Sequence, residues 1–161
     1  MATKRNRKTP EPTIANRRAR HEYFIEETLE CGIKLTGTEV KSVRNGQVSL
    51  AEGYARAAES PRSLTLHGVH IAEYAPAAEH RQHNPTRVRT LLAHRRQIRK
   101  LADKTRSKGT TLIPLKMYFV DGRAKLLLGV ARGKRKTDKR RDLAKREMER
   151  DIARATSRRQ G

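Results

Sequence analysis

The chain has 161 residues, with 38 Lys/Arg against 17 Asp/Glu, a formal net charge of +21 and a pI near 11.2. That length fits one domain with appendages, and so large a positive excess points to a polyanionic partner. There is no 18-residue apolar run and no signal-peptide core, the basic ends lack a bulky apolar face, and the lone Cys31 allows no intramolecular disulfide. A membrane partner is therefore disfavoured, and a cytoplasmic protein that binds RNA or DNA is expected.

The charge is unevenly placed. Residues 1–20 carry seven basic side chains and one acidic, residues 132–161 carry thirteen and five, and all six aromatics (Tyr23, Phe24, Tyr54, Tyr74, Tyr118 and Phe119) lie between. This layout predicts a disordered basic arm over 1–15, an RNA-binding domain over 16–131 and a basic tail over 132–161. In HEYFIEETLECGIKL the odd positions are Tyr23, Ile25, Glu27, Leu29, Cys31, Ile33 and Leu35, apolar but for Glu27, which predicts a long strand bent near Gly32. GTEVKSVRNG reads as one or two helical turns capped by Thr38 and ended by Gly46, with Val40 and Val43 on one face. GYARAA reads as a short strand.

In SLTLHGVHIAEY the apolar phase slips between Leu64/Leu66 and Val69/Ile71, as a β-bulge at His67-Gly68 requires. PAAEHRQHNP reads as loop. VRTLLAHRRQIRKLADKTRSKG places Val88, Leu91, Leu92, Ile98, Leu101 and Ala102 on one broad face, predicting a basic amphipathic helix that starts at Asn84 or Thr86 and ends at Gly109. TLIPLKMYFVDGRAKLLLGVA predicts a hairpin turning at Asp121-Gly122, with Pro114 at an edge or bulge. The sum is a small OB-like antiparallel barrel of about six strands with one central helix.

The tail places Ala144, Met148, Ile152 and Ala155 on a narrow helical stripe, with Asp142–Arg146 and Asp151–Arg154 as favourable pairs. Such a helix is marginal alone, so the tail is expected to be disordered when free and helical against RNA, or else merely solvated. Catalytic patterns are missing. His80 and His83 lack further ligands at zinc spacing, Cys31 reads as buried filler, and Glu26, Glu27 and Glu30 read as the solvent face of a strand. No enzyme activity, metal or cofactor is expected. Candidate RNA contacts are Arg18, Arg20, His21 and Phe24 around the first strand, with Lys41 and Arg44 on the short helix. Phe24 either offers a stacking face to a base or packs under a helix or the basic arm.

NRRARHEYFIEETLECGIKLTGTEVKSVRNGQVSL, NPTRVRTLLAHRRQI and GVARGKRKTDKRRDLAKRE together resemble the SsrA-binding protein (small protein B) family, in the same order from about Ile14 to about Arg150. The resemblance implies an OB-like barrel that grips the tRNA-like domain of tmRNA and enters stalled ribosomes for trans-translation. It implies no catalysis, contact with elongation factor Tu through alanyl-tmRNA, and a tail that lies in the vacant mRNA channel near the decoding region. The family's tmRNA-binding glutamate matches Glu30 and its leucine matches Leu92, while the asparagine that follows is His94 here. Its tail pattern matches Gly133, Lys134, Arg135, Asp138, Lys139 and Arg140, with Thr137 where some members carry histidine. Beyond Arg154 the match fades, with Ala155-Thr156 replacing a bulkier pair. A ribosomal protein is the alternative reading, and a nuclease that uses the strand glutamates is a third.

Overall fold

In the computed structural model the backbone is described for residues 10–159 and the side chains for residues 10–157. In chain order the elements are β1 (Ile14–Ala15), α1 (Ala19–Glu22), β2 (Tyr23–Ile33), α2 (Gly37–Arg44), β3 (Val48–Ser49), β4 (Tyr54–Glu59), β5 (Arg62–His67), β6 (His70–Ile71), β7 (Arg89–Leu92), α3 (Arg95–Thr105), β8 (Thr110–Val120), β9 (Arg123–Gly133) and α4 (Lys136–Arg159), with a 3₁₀ turn at Glu79–Arg81. Residues 1–9 of the expected disordered arm lie outside the described part. Ile14 and Ala15, assigned to that arm, instead pair with Met117 and Lys116.

All strand pairings are antiparallel, and seven strands form one sheet in the order β1-β8-β4-β5-β7-β2-β9, with β8 and β9 also paired. The β8–β9 hairpin closes through Asp121 (φ 49°) and Gly122 (φ 74°). Two successive left-handed residues make the turn whose twist matches that of paired strands. The main core draws Leu64, Leu66, Leu112, Met117, Leu126 and Leu128 from the sheet, Val43 from α2, and Ile98 and Leu101 from α3.

Two bulges divide the apolar side chains between that core and a second, smaller cluster of Ala19, Ile113, Leu115 and Ala131, against which Tyr23, Ile25 and Leu127 pack. The β8 register shifts between Pro114 and Lys116, so Leu112 and Met117 both reach the main core despite opposite parity. The bulge falls beside proline, which lacks an amide proton for the ladder. The β2 register shifts between Ile25 and Glu27, so the irregularity expected near Gly32 lies at Glu26 instead. Gly129 of β9 sits between the two bulges, and a Cβ there would stand 3.0 Å from Leu115 and 3.2 Å from Ile25.

Three other expectations are corrected. First, the 88–109 segment is not one helix. Arg89–Leu92 is β7, paired with β2 and β5, and the helix is only Arg95–Thr105. Arg89 and Leu91 are buried while Thr90 and Leu92 are exposed, a period of two masked by the neighbouring helical periodicity. The helix starts at His94, whose N–H donates to the Gln97 side-chain carbonyl at 2.9 Å, whereas Asn84 accepts the Thr86 N–H at 2.9 Å in a turn. Second, α2 is capped at Thr36, not Thr38, because the Glu39 carboxylate accepts the Thr36 N–H at 2.8 Å. Third, the His67-Gly68 slip is not a bulge within one ladder. The chain leaves β5 there and enters β6, which pairs with β3 in a separate two-stranded sheet. Gly68 has φ +68°, and a Cβ on it would lie 2.4 Å from the Glu52 carbonyl oxygen.

An ion network joins α2 to the sheet. Glu39 and Arg89 are fully buried, and the Arg89 Nε lies 2.8 Å from Glu39 Oε1. Arg87 adds bonds of 2.8 and 2.6 Å to the same carboxylate, while Arg89 also donates to the carbonyls of Val69 (2.8 Å) and Pro85 (2.9 Å). Burial alone would raise the Glu39 pKa, but donation from Arg87, the Thr36 amide and Arg89 outweighs it and lowers the value from 4.5 to about 2.

Two stability predictions follow from these contacts. Gly68→Ala, strained in backbone and blocked by Glu52, should destabilise the fold by at least ~2 kcal/mol in urea denaturation. Glu39→Gln leaves Arg89 buried without a counter-charge and should cost about 3–5 kcal/mol at neutral pH. Because the folded-state pKa is depressed, this stabilisation is complete above pH 4.5 and is lost as pH falls toward 2. The gap in urea midpoint between the native chain and Glu39→Gln should therefore narrow across that window, and a gap independent of pH would refute the assignment.

Candidate nucleic-acid interface

Three segments meet in one open groove: Glu30, Cys31 and Gly32 of β2, Leu92, Ala93, His94 and Gln97 at the passage from β7 to α3, and Lys125 of β9. The pairing of Gly32 with both Leu92 and Lys125 brings them together. A side chain at position 32 would stand 3.3 Å from the Leu92 Cβ, so glycine leaves room for Leu92 to lie across β2. Leu92 is 48% exposed, an apolar side chain held at the surface by a strand whose alternate residues are buried.

Glu30 accepts a hydrogen bond from the Tyr118 hydroxyl through Oε2. Burial first, and then this bond to a carboxylate, pushes the Tyr118 pKa up to about 12. The phenol thus remains a donor at neutral pH and fixes the orientation of Glu30. The other two strand glutamates have different partners. Glu26 pairs with Arg132 at 3.2 Å, and Glu27 binds both Lys100 and Lys104 of α3. Hydrogen bonds from Lys100 and then Lys104 lower the Glu27 pKa to about 2, so it carries no proton to donate near neutral pH. Cys31 donates to the Leu126 carbonyl, and burial pushes its thiol up to about 12, which leaves no thiolate for nucleophilic chemistry.

The histidines also have local roles. His83, considered above for metal binding, is buried between the Thr38 hydroxyl (2.9 Å) and the Ile71 carbonyl (3.0 Å). Among the described residues no group of three His, Cys, Asp or Glu side chains is placed to hold a metal. No described helix is long and apolar enough to cross a membrane.

The remaining candidates lie outside the groove. Arg18 is tied to Glu22 (3.0 Å) and Glu52 (2.8 Å), which raises its already high pKa. Phe24 is 48% exposed and has the Lys134 ammonium 4.9 Å from its ring centroid. Arg20 contributes its carbonyl to Lys134 at 2.8 Å, and His21 is half-buried on α1. Lys41 stands over the Tyr74 ring at 5.0 Å, while Arg44 pairs with Glu11 at 3.4 Å and stands over Phe119 at 5.4 Å. The two α2 cations therefore serve local contacts and do not line the groove.

In the tail, Gly133 ends β9, and Asp138 accepts the Arg135 N–H at 3.3 Å, which fixes the start of α4. Lys139 is half-buried and Arg140 is exposed. Lys134 is withdrawn, with its side chain only 7% exposed. Asp142 pairs with Lys134 rather than with the expected Arg146, whereas the expected Asp151–Arg154 pair is present at 3.8 Å. Leu143, Met148 and Ile152 are exposed on α4. The Glu30–Tyr118 contact joins residues distant in the sequence and leaves no local sign there, whereas the Lys134–Asp142 contact has one, an acidic residue inside a strongly cationic run.

The chain resembles known proteins over most of its length. The family model described as SmpB protein matches residues 13–158. The SsrA-binding protein of Thermobifida fusca is 51% identical over 150 residues, covering 93% of this chain and 92% of that protein. The SsrA-binding protein of Levilactobacillus brevis is 48% identical over 155 residues, covering 96% and 97%. A solved chain described as "tmRNA-SmpB: a journey to the center of the bacterial ribosome" is 47% identical, with a TM-score of 0.65, covering 78% of this chain and 86% of that one. With the family model matching nearly its whole length, the chain belongs to the SmpB, or SsrA-binding protein, family.

Proposed function

We propose that this protein binds the tRNA-like domain of tmRNA and delivers it to stalled ribosomes for trans-translation, itself performing no catalysis. The observation that carries the proposal is the convergence of Glu30, Leu92 and His94, distant in sequence, on one open groove. A carboxylate repels phosphate. In a chain of net charge +21 it contributes selectivity, accepting hydrogen bonds from 2′-hydroxyls or base edges while Lys and Arg supply the attraction common to all RNA. Tyr118 occupies Oε2 and leaves Oε1 for such a donor. Leu92 offers an apolar surface to a base or ribose, and the His94 imidazole donates or accepts where relatives resembling this chain carry asparagine.

The closed circuit of pairings β8-β4-β5-β7-β2-β9-β8 supports the OB-like barrel reading. Delivery with elongation factor Tu belongs to the same proposal. In it, α4 enters the vacant mRNA channel, with Arg135, Lys139 and Arg140 toward rRNA. The marginal stability of an isolated helix with an exposed apolar stripe supports tail ordering on the ribosome.

Binding to tmRNA and to an unrelated structured RNA of equal length, compared across a salt series, tests the central step. The preference for tmRNA should persist at high salt; convergence of the two would favour a general RNA-binding protein. Glu30→Ala should weaken tmRNA binding about tenfold, near 1.4 kcal/mol, although it raises the net charge, while Tyr118→Phe should change it by less than about threefold. Truncation after Arg135, which spares β9, should preserve tmRNA binding and abolish peptide tagging on stalled ribosomes. Loss of tmRNA binding on truncation would overturn this division of roles.

A further inference from the structure

Lys134 lies within a run of cations yet spends its charge on its own chain. Its ammonium donates to the Asp142 carboxylate and to the Arg20 carbonyl (2.8 Å), and it stands 4.9 Å from the Phe24 ring centroid. Its backbone N–H donates to the Glu22 carbonyl at 2.9 Å. A lysine ammonium has three donors and no more. Two charge-assisted hydrogen bonds and a cation–π contact leave little for an outside phosphate.

The partners come from three places: the end of α1, the start of β2 and the second turn of α4. Farther along α4, Leu143, Met148 and Ile152 are exposed. A helix attached only at its first residue swings about that point, whereas a second tie along its length fixes its direction. The Lys134–Asp142 pair supplies the second tie, and the hydrogen bond from Lys134 holds the Asp142 carboxyl below its ordinary range.

We propose that Lys134 is an intramolecular latch that sets the direction in which α4 leaves the sheet: a positioning residue for the tail, acting through Asp142, Arg20 and Phe24 rather than by contact with RNA. Its effect on ribosomes rests on the function proposed above; its effect on helix direction does not. The two roles predict opposite signs for Asp142→Asn. If Lys134 were simply an RNA contact, removing its acidic neighbour would free it and strengthen ribosome binding. If it is a latch, Asp142→Asn should reproduce the loss caused by Lys134→Met.

The test uses the full chain with Cys31→Ala and spin labels at Arg62→Cys and Thr156→Cys, read by pulsed electron resonance. The background with native Lys134 and Asp142 should give the narrowest distance distribution, because the first turns of α4 are latched even where its outer part orders only on the ribosome, and Lys134→Met and Asp142→Asn should each broaden it without changing the melting temperature of the domain. The exchange Lys134→Glu with Asp142→Lys should narrow it again in part. In parallel, both single variants should lower tagging on stalled ribosomes at least fivefold, with tmRNA affinity within twofold of native. A distribution unchanged by Lys134→Met, or stronger ribosome binding by Asp142→Asn, would overturn the latch. Broadening with unaltered tagging would overturn its positioning role. Failure of the native chain to prefer tmRNA would refute the proposed function while leaving the distance measurement to decide the latch.

Discussion

The fold depends on one buried carboxylate. Glu39 sits on a two-turn helix too short to persist alone, yet it receives both arginines of the β7 approach and the amide that begins its own helix. Arg89 points inward where a strand would ordinarily present an aliphatic side chain, and it is tolerated because Glu39 neutralises it and the Val69 and Pro85 carbonyls take its remaining donors. Through these bonds α2, β7 and the connection after β6 become mutually dependent. The position of β7 in turn places Leu92 and His94 beside Glu30. The groove is thus held from behind by a charge pair that never reaches its surface.

What could be read from the sequence was whatever repeats locally. The β8–β9 hairpin declares itself by its alternation and by Asp121-Gly122, β2 by its odd-numbered apolar residues, and the tail helix by its stripe. Features that depend on distant partners stayed hidden. β7 is four residues long, and its apolar residues also satisfy the helical spacing of the segment after it, so only the partners β2 and β5 decide its conformation. The bulge at Glu26 was masked because the apolar residues keep the same parity on both sides of Glu27, with Tyr23 and Ile25 in the smaller cluster and Leu29, Cys31 and Ile33 in the main core.

The candidate site shows the same division. Glu30, Leu92 and His94 could be named from motif resemblance, but that they share a groove follows from Gly32 pairing on both sides. Charge counting indicated that the protein would attract polyanions and could not say which cations were free to do so. Arg18, Arg44 and Lys134 are each engaged within the chain, whereas Arg140 stays exposed. Net charge and available charge differ, and only the fold separates them.

The register of β2 has a consequence for how the molecule is made. Tyr23 pairs with Gly133 and Ile14 with Met117, so the first strands to be synthesised find most of their partners in the last two. Such a topology has high contact order and closes slowly, because the β2–β9 ladder, unlike the β8–β9 hairpin, has no local route. A nascent chain interrupted anywhere before β9 carries β2 with most of its ladder unformed, an open edge that invites aggregation or proteolysis. A protein proposed to act on broken translation therefore has an exposed edge of its own for as long as its synthesis is unfinished.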